Sequence, residues 1–336
     1  DNTEKELRGL LIQSAGIVEH INDEYKLSVL VNHTKLRPGD KVVLHDLNTH
    51  KRFKATIIES DYDYIDITAS DELPLTDKYN IEIEEFTLLD PLIGIAERIR
   101  EGSPGAFLFR QLSGDSKPIS EGLGRISLNK VEAFSEALNK EQYKAWLRSL
   151  DRPSILCIQG PPGTGKTDVL STIAHTFNNQ HKDVLIISNT HQAVNNALNK
   201  ISRRTHNATI VKIGEELKAQ ELDKNIISAK NYREFSSLRK VLLKKESNHS
   251  DIVGMTYHSA ILQLGMMNSG FKPSIILIDE AGQMPLTQAA LIGAIGCGSL
   301  IFIGDDKQMP PIHHEKLSAH PFSTSVFSYL CNKFPD

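Results

Sequence analysis

Residues 154–177 read SILCIQGPPGTGKTDVLSTIAHTF. An apolar run of strand length meets a loop of glycine and proline, and a helical pattern follows at once. Few folds accept that order. Gly160, Gly163 and Gly165 let the loop's backbone N–H groups converge on one point with no Cβ in the way. The helix that opens near Lys166 adds the positive end of its dipole. The stretch fits G-x-x-x-x-G-K-[ST], a cradle for nucleotide phosphates. On that pattern Gly160, Pro161, Pro162, Gly163, Thr164, Gly165, Lys166, Thr167 and Asp168 would line the nucleotide. Lys166 would reach the β- and γ-phosphates, and the Thr167 hydroxyl would ligate Mg²⁺.

The pattern continues to the end of the chain. DVLIIS, ATIVKI, DIVGMT, SIILID and SLIFIG are apolar runs of strand length with helical stretches between them. Strands alternating with helices predict a parallel sheet covered on both faces. A charged helical insertion is expected at about 214–248. Upstream the texture differs. KLSVLV, KVVLHDL, FKATIIES, YIDITAS and YNIEIEEF are short β-rich runs punctuated by turn residues, which suggest a small barrel. Leu7, Leu11, Ala15 and Val18 recur at helical spacing near the start. The expected layout is therefore an N-terminal helix (1–25), a small β-barrel (26–90), a helical linker (91–150) and an α/β domain (151–336). SPGAFLFRQLSGDSKPISEGLG, within the linker, reads as an irregular connection.

Two further elements carry chemistry. SIILIDEAGQ ends an apolar strand in Asp279 and Glu280. An acid at the end of such a strand holds Mg²⁺ in phosphate-loop NTPases, so Asp279 and Thr167 are the candidate metal ligands. Glu280 could polarise an attacking water as general base. SLIFIGDDKQMPPI ends the next strand, and its Gln308 could bond a γ-phosphate and sense its loss. With Lys166, Glu280 and Gln308 are the candidate catalytic residues.

Together these motifs resemble a family. GPPGTGKT, DEAGQ and GDDKQMPP look like motifs I, II and III of superfamily 1 helicases, and most like subgroup 1B, the group of the nonsense-mediated-decay helicase. LNKEQYKAW is similar to the Q motif, which implies that Gln142 reads adenine. SNTHQAVNNAL resembles motif Ia, which implies backbone contacts to nucleic acid from Asn189, Thr190 and His191; Asn195 stands where that motif often has Asp. GMTYHSA offers Thr256 as a further contact. The resemblance implies a RecA-like P-loop NTPase sheet with a small N-terminal β-barrel and helical linker. It implies ATP and Mg²⁺ as cofactors, single-stranded DNA or RNA as partner, and a second RecA-like domain beyond residue 336.

Composition limits the rest. The net charge is −4 and aromatics make up 6%, so a nucleic-acid partner must be met by local patches. Lys26, Lys35, Arg37, Lys41, Lys51, Arg52 and Lys54 form one such cluster, with Phe53, Tyr62 and Tyr64 as candidate stacking rings. Lys200, Arg203, Arg204, Lys230, Arg233, Arg239, Lys240, Lys244 and Lys245 form another. Cys157, Cys297 and Cys331 form no CxxC pair, which argues for a reducing, intracellular setting without a zinc site. No apolar run approaches the roughly 20 residues that span a bilayer, so no membrane partner is expected. Two other readings fit the same residues. One is a nucleotide-switched protein-interaction module indifferent to single strands. The other is a passive nucleic-acid-binding module with a vestigial cradle.

Overall fold

The computed structural model describes residues 11–30, 32, 34, 36, 40–69, 71–75, 78–83, 89–102, 106–113, 115–119, 135–205, 208–214, 221–245, 249–267, 271–305, 307, 311 and 324–334. Residues 1–87 form one compact unit, and 88–214 with 221–336 another.

The first unit is a closed antiparallel barrel of six strands: β1 (Leu11–Ile21), β2 (Glu24–Ser28), β3 (Lys41–Asp46), β4 (Arg52–Ser60), β5 (Tyr64–Ala69) and β6 (Tyr79–Ile83). Their order is β1-β2-β5-β4-β3-β6, and β1 pairs with β6 to close it. Closure leaves no unpaired sheet edge. Alternate residues point inward: Val42 and Leu44, Ile65 and Ile67, Tyr79 and Ile81 are all buried in one apolar core. The N-terminal helix expected over 1–25 is not what residues 11–21 form; they are β1. The cause is visible in the register. Pairing slips between Ile12 and Ala15, where Ser14 has φ +58°, and again between Ile17 and Glu19. Bulges break the two-residue alternation. The buried positions become Leu11, Ile12 and Ala15, a spacing that imitates a helix.

The second unit holds a seven-stranded sheet of β7 (Ile155–Gln159), β8 (Val184–Ser188), β9 (Thr209–Ile213), β10 (Ile227–Ala229), β11 (Asp251–Thr256), β12 (Ile275–Ile278) and β13 (Ser299–Gly304). The order is β10-β9-β11-β8-β12-β13-β7, and every pairing is parallel. The described helices are α1 (Leu89–Arg100), α2 (Ala106–Ser113), α3 (Lys140–Leu150), α4 (Lys166–Asn178), α5 (His191–Arg204), α6 (Tyr232–Lys245), α7 (Tyr257–Met267), α8 (Leu286–Gly293) and α9 (Val326–Lys333). Successive strand residues go to opposite faces. Ile186, Ile252, Leu277 and Ile303 meet α3, α4 and α5 through Trp146, Leu170, Ile173 and Leu198. Ile187, Val253, Ile278 and Phe302 meet the other layer through Leu112, Phe235, Tyr257 and Phe327. Burial on both faces explains why these strands read as unbroken apolar runs.

Two stretches differ from expectation. The linker's irregular connection contains α2, whose Leu108 and Leu112 reach the core. The charged insertion contains edge strand β10 as well as α6. Helix α6 is anchored at the N-terminal end of the sheet. Arg239 bonds Asp183 at 2.7 Å and Asp251 at 3.0 Å, and His249 meets Asp251 at 2.7 Å.

Candidate nucleotide-binding site

The C-terminal ends of β7, β12 and β13 bring the sequence motifs to one sheet edge, where ligands bind in open α/β folds. β13 lies between the strand that feeds the glycine loop and the strand that ends in Asp279. Gln159 pairs with Gly304, and the Gly160 N–H donates to the Gly304 carbonyl at 3.0 Å, so the loop is tied to β13 from its first residue. Gly163 and Gly165 have φ of +77° and +78°, the left-handed region where glycine has no penalty. Gly165 is the N-cap of α4. Inside the loop the Thr164 hydroxyl donates to the Pro161 carbonyl at 2.7 Å, and the Lys166 ammonium donates to the Gly160 carbonyl at 2.7 Å. Pro161 to Thr164 are exposed; Gly165 to Asp168 are half-buried.

Asp279 is 6% exposed. Burial first, and the neighbouring Glu280 charge second, push its carboxyl up to about 6; the Glu280 N–H and the Lys166 ammonium oppose them. A buried acid beside a second acid, close to Lys166 and the first turn of α4, is a site short of positive charge. That donor set suits a hard cation such as Mg²⁺, and Thr167, in the first turn of α4, is the expected source of a hydroxyl ligand. Glu280 has φ +55°, costly for a residue with a side chain. Its N–H bonds Asp279 Oδ1 at 3.0 Å. The strain is held by tight backbone packing. A Cβ on Gly282 would overlap the Asp305 carbonyl oxygen, and a Cβ on Gly304 would lie 2.7 Å from the Gly282 nitrogen. The DEAG turn and the end of β13 thus cross at bare-backbone distance.

Gln142 reaches the loop from the other side. It is N3 of α3, in a capping box with Asn139. Its Oε1 accepts from the Asn139 N–H at 2.9 Å, and its Nε2 donates to the Thr164 carbonyl at 2.8 Å. The two partners fix which end of the amide is which.

A family model described as an AAA domain matches residues 137–229. The DNA replication ATP-dependent helicase/nuclease DNA2 of Saccharomyces cerevisiae is 29% identical over 217 residues, covering 63% of this chain and 13% of the relative. The DNA2 of Xenopus laevis is 25% identical over 328 residues, covering 90% of this chain and 29% of the relative. This chain therefore spans less than a third of either relative's length. Among solved structures, the Arterivirus nonstructural protein 10 helicase is similar with a TM-score of 0.39 at 13% identity, covering 94% of this chain and 52% of that one.

The chain is similar in sequence to these ATP-dependent helicases.

The other predicted residues fall out as follows. Thr190 is the N-cap of α5, its hydroxyl accepting from the Ala193 N–H at 3.2 Å. Asn189 precedes it, and His191 lies against Gly214, whose Cβ would sit 3.2 Å from the His191 Cε1. The Thr256 hydroxyl accepts from the Ser259 N–H at 3.3 Å at the start of α7. These residues end or follow β8 and β11. Gln308 lies outside the described residues.

Asp168 is the corner of an ion cluster that sequence reading missed. Its Oδ1 meets Lys200 at 2.8 Å and Arg204 at 2.9 Å. The basic cluster assigned to nucleic acid is thereby partly used up. Lys200, Arg203, Arg204 and Arg239 all have carboxylate partners within the chain. Gly282 and Gly304 were missed too, because their need for small size arises from a contact across the fold.

The barrel keeps part of its expected surface. Lys26 sits over the Tyr64 ring at 4.0 Å and near Asp66, so that ring is covered. Phe53 packs edge-on to Tyr79 against the barrel core. Tyr62 is exposed. Lys35 and Arg37 lie outside the described residues. A cavity of about 190 Å³ on the barrel is lined by Glu19, Glu24 and Asp66 with Lys26, a lining that disfavours phosphate. Among the described residues, no helix is long and apolar enough to cross a membrane, and no group of three or more His, Cys, Asp or Glu side chains is gathered as an all-protein metal cage.

Proposed function

We propose that this chain supplies the barrel and first motor domain of an ATP-dependent helicase or translocase of subgroup 1B, acting on single-stranded DNA or RNA. The observation that carries the reading is the convergence of the glycine loop, the Asp279–Glu280 pair and Gly304 at one sheet edge. Lys166 and the loop amides bind and orient the triphosphate. Asp279 and Thr167 hold Mg²⁺, which neutralises phosphate charge when bound. Glu280 accepts a proton from the attacking water, and its fixed backbone aims the carboxylate. Gln142, oriented by its cap and by Thr164, favours adenine. Gln308 senses the γ-phosphate. Asn189, Thr190, His191 and Thr256 contact the strand, and exposed barrel cations add phosphate contacts whose strength falls with salt. A second RecA-like domain supplies arginines to the γ-phosphate, an effect worth about 10³ to 10⁵ in rate.

The DNA2 relatives named above favour DNA over RNA as the track. Steady-state ATP turnover by the full-length protein, with single-stranded DNA, with RNA and with neither, tests the proposal. Stimulation by one polymer supports it. Turnover indifferent to both polymers favours the protein-interaction switch.

A further inference from the structure

Helix α5 is gripped on three sides. Val194, Ala197, Leu198 and Ile201 are buried in the core. A second side is strapped by the segment after residue 220. Gln192 donates to Glu221 at 2.9 Å, Asn199 donates to the Glu221 carbonyl at 2.7 Å, and Ser202 donates to Asn225 at 2.7 Å. The third side faces α4 through a polar stripe. Asp168, Thr172 and His175 lie one helical turn apart on α4. Asp168 takes Lys200 and Arg204, Thr172 accepts from Arg204 at 3.1 Å, and the His175 ring meets Thr205 at 2.9 Å. A helix held this way can shift only as a rod.

The two ends of the rod stand at different sites. Its N-terminus carries Asn189, Thr190 and His191, the strand-contacting residues of the reading above. Lys200 is nine residues further on, about 14 Å along the axis. There it grips Asp168, the residue after Thr167. Both cations use Asp168 Oδ1. Asp168 Oδ2 turns toward Gly165, 3.1 Å from where a Cβ on that glycine would be. The Asp168 carboxylate therefore stands at the helix N-terminus that receives the triphosphate. Formally the cluster carries one negative and two positive charges, a net of +1. A bound nucleotide places several negative charges beside it. Lys200 and Arg204 thus feel different fields in the bound and free states, which is the differential interaction that coupling requires.

We propose that the Asp168–Lys200–Arg204 cluster is a coupling joint, through which nucleotide occupancy sets the position of α5 and hence the affinity of its N-terminus for single strands. Lys200 and Arg204 are positioning residues, since they act through Asp168 and α5. The inference rests on the nucleic-acid motor reading.

The test is an equilibrium one on the full-length protein. Affinity for a fluorescent single-stranded oligonucleotide is measured with and without a non-hydrolysable ATP analogue and Mg²⁺. The wild type should show a ratio in the range of about 5- to 150-fold typical of linked sites. Lys200→Met with Arg204→Met should bring the ratio to within about twofold of unity with the analogue kept saturating, since stripping two cations from beside the phosphates should also weaken analogue binding. Lys200→Arg should keep the wild-type ratio. Lys200→Met alone, which leaves the Arg204 pairing, should fall between and serves if the double variant misfolds. A folded double variant with the full ratio overturns the proposal. A wild type with a ratio of one defeats the motor reading itself, an outcome distinct from failure in the variants alone.

Discussion

Replacing Asp279 with Asn should stabilise the metal-free protein while removing its function. Burial and the Glu280 charge raise the Asp279 carboxyl from 3.8 to about 6 in the folded chain. Below 3.8 the group is protonated in both folded and unfolded states and costs nothing. As pH rises from 3.8 toward 6 the unfolded chain ionises first, so the folded state loses ground. Above 6 the loss is complete. A shift of roughly two units corresponds to about 3 kcal/mol. The substituted amide would keep an oxygen for the Glu280 N–H but bring an N–H donor needing a partner, which lowers the expected gain to about 1–3 kcal/mol. Urea unfolding in EDTA reads it directly. At pH 8 the Asp279→Asn midpoint should exceed that of wild type, and the gap should close by pH 4. Saturating Mg²⁺ and nucleotide should stabilise wild type more than the variant, which keeps Lys166 and the loop amides but lacks the metal-binding carboxylate. A variant no more stable than wild type at pH 8, or a gap independent of pH, would refute the argument that this carboxylate is held short of positive charge.

Glu280→Gln should lower strand-stimulated turnover by about 10² to 10⁴ while equilibrium nucleotide binding persists; equal loss of binding would assign Glu280 to the pocket and not to the water. Gly304→Ala puts a Cβ 2.7 Å from the Gly282 nitrogen and should cost about 1–3 kcal/mol in urea unfolding, with slower turnover because Glu280 is displaced. Arg239→Ala leaves Asp251, which is fully buried, without its cation and should cost about 3–5 kcal/mol. An unchanged urea midpoint would show that α6 is not anchored there.

What was legible in the sequence follows the range of the forces involved. DIVGMT and SLIFIG became β11 and β13 residue for residue, because burial on both faces leaves an unbroken apolar run with clear ends. The capping box of Asn139 and Gln142 is local, and its N-x-x-Q spacing was open to reading. Strand β1 was misread because two bulges gave its buried residues a helical spacing. Strand β10 has three residues, two of them exposed, too few to show a period. Helix α2 was hidden by flanking glycine, proline and serine. The site's supports were the least legible. Asp168 and Lys200 are 32 positions apart, and the Gly282–Gly304 crossing joins the turn after β12 to the last residue of β13; nothing local in either stretch announces the partner.

The central claim is that nucleotide hydrolysis at this sheet edge drives movement on nucleic acid. Its most direct test is strand displacement by the full-length protein, using a labelled duplex with a single-stranded tail, with ATP and Mg²⁺, beside the Glu280→Gln variant. The account predicts displacement that requires both ATP and the tail and is lost in the variant. ATP turnover with no displacement and no response to the tail would contradict it.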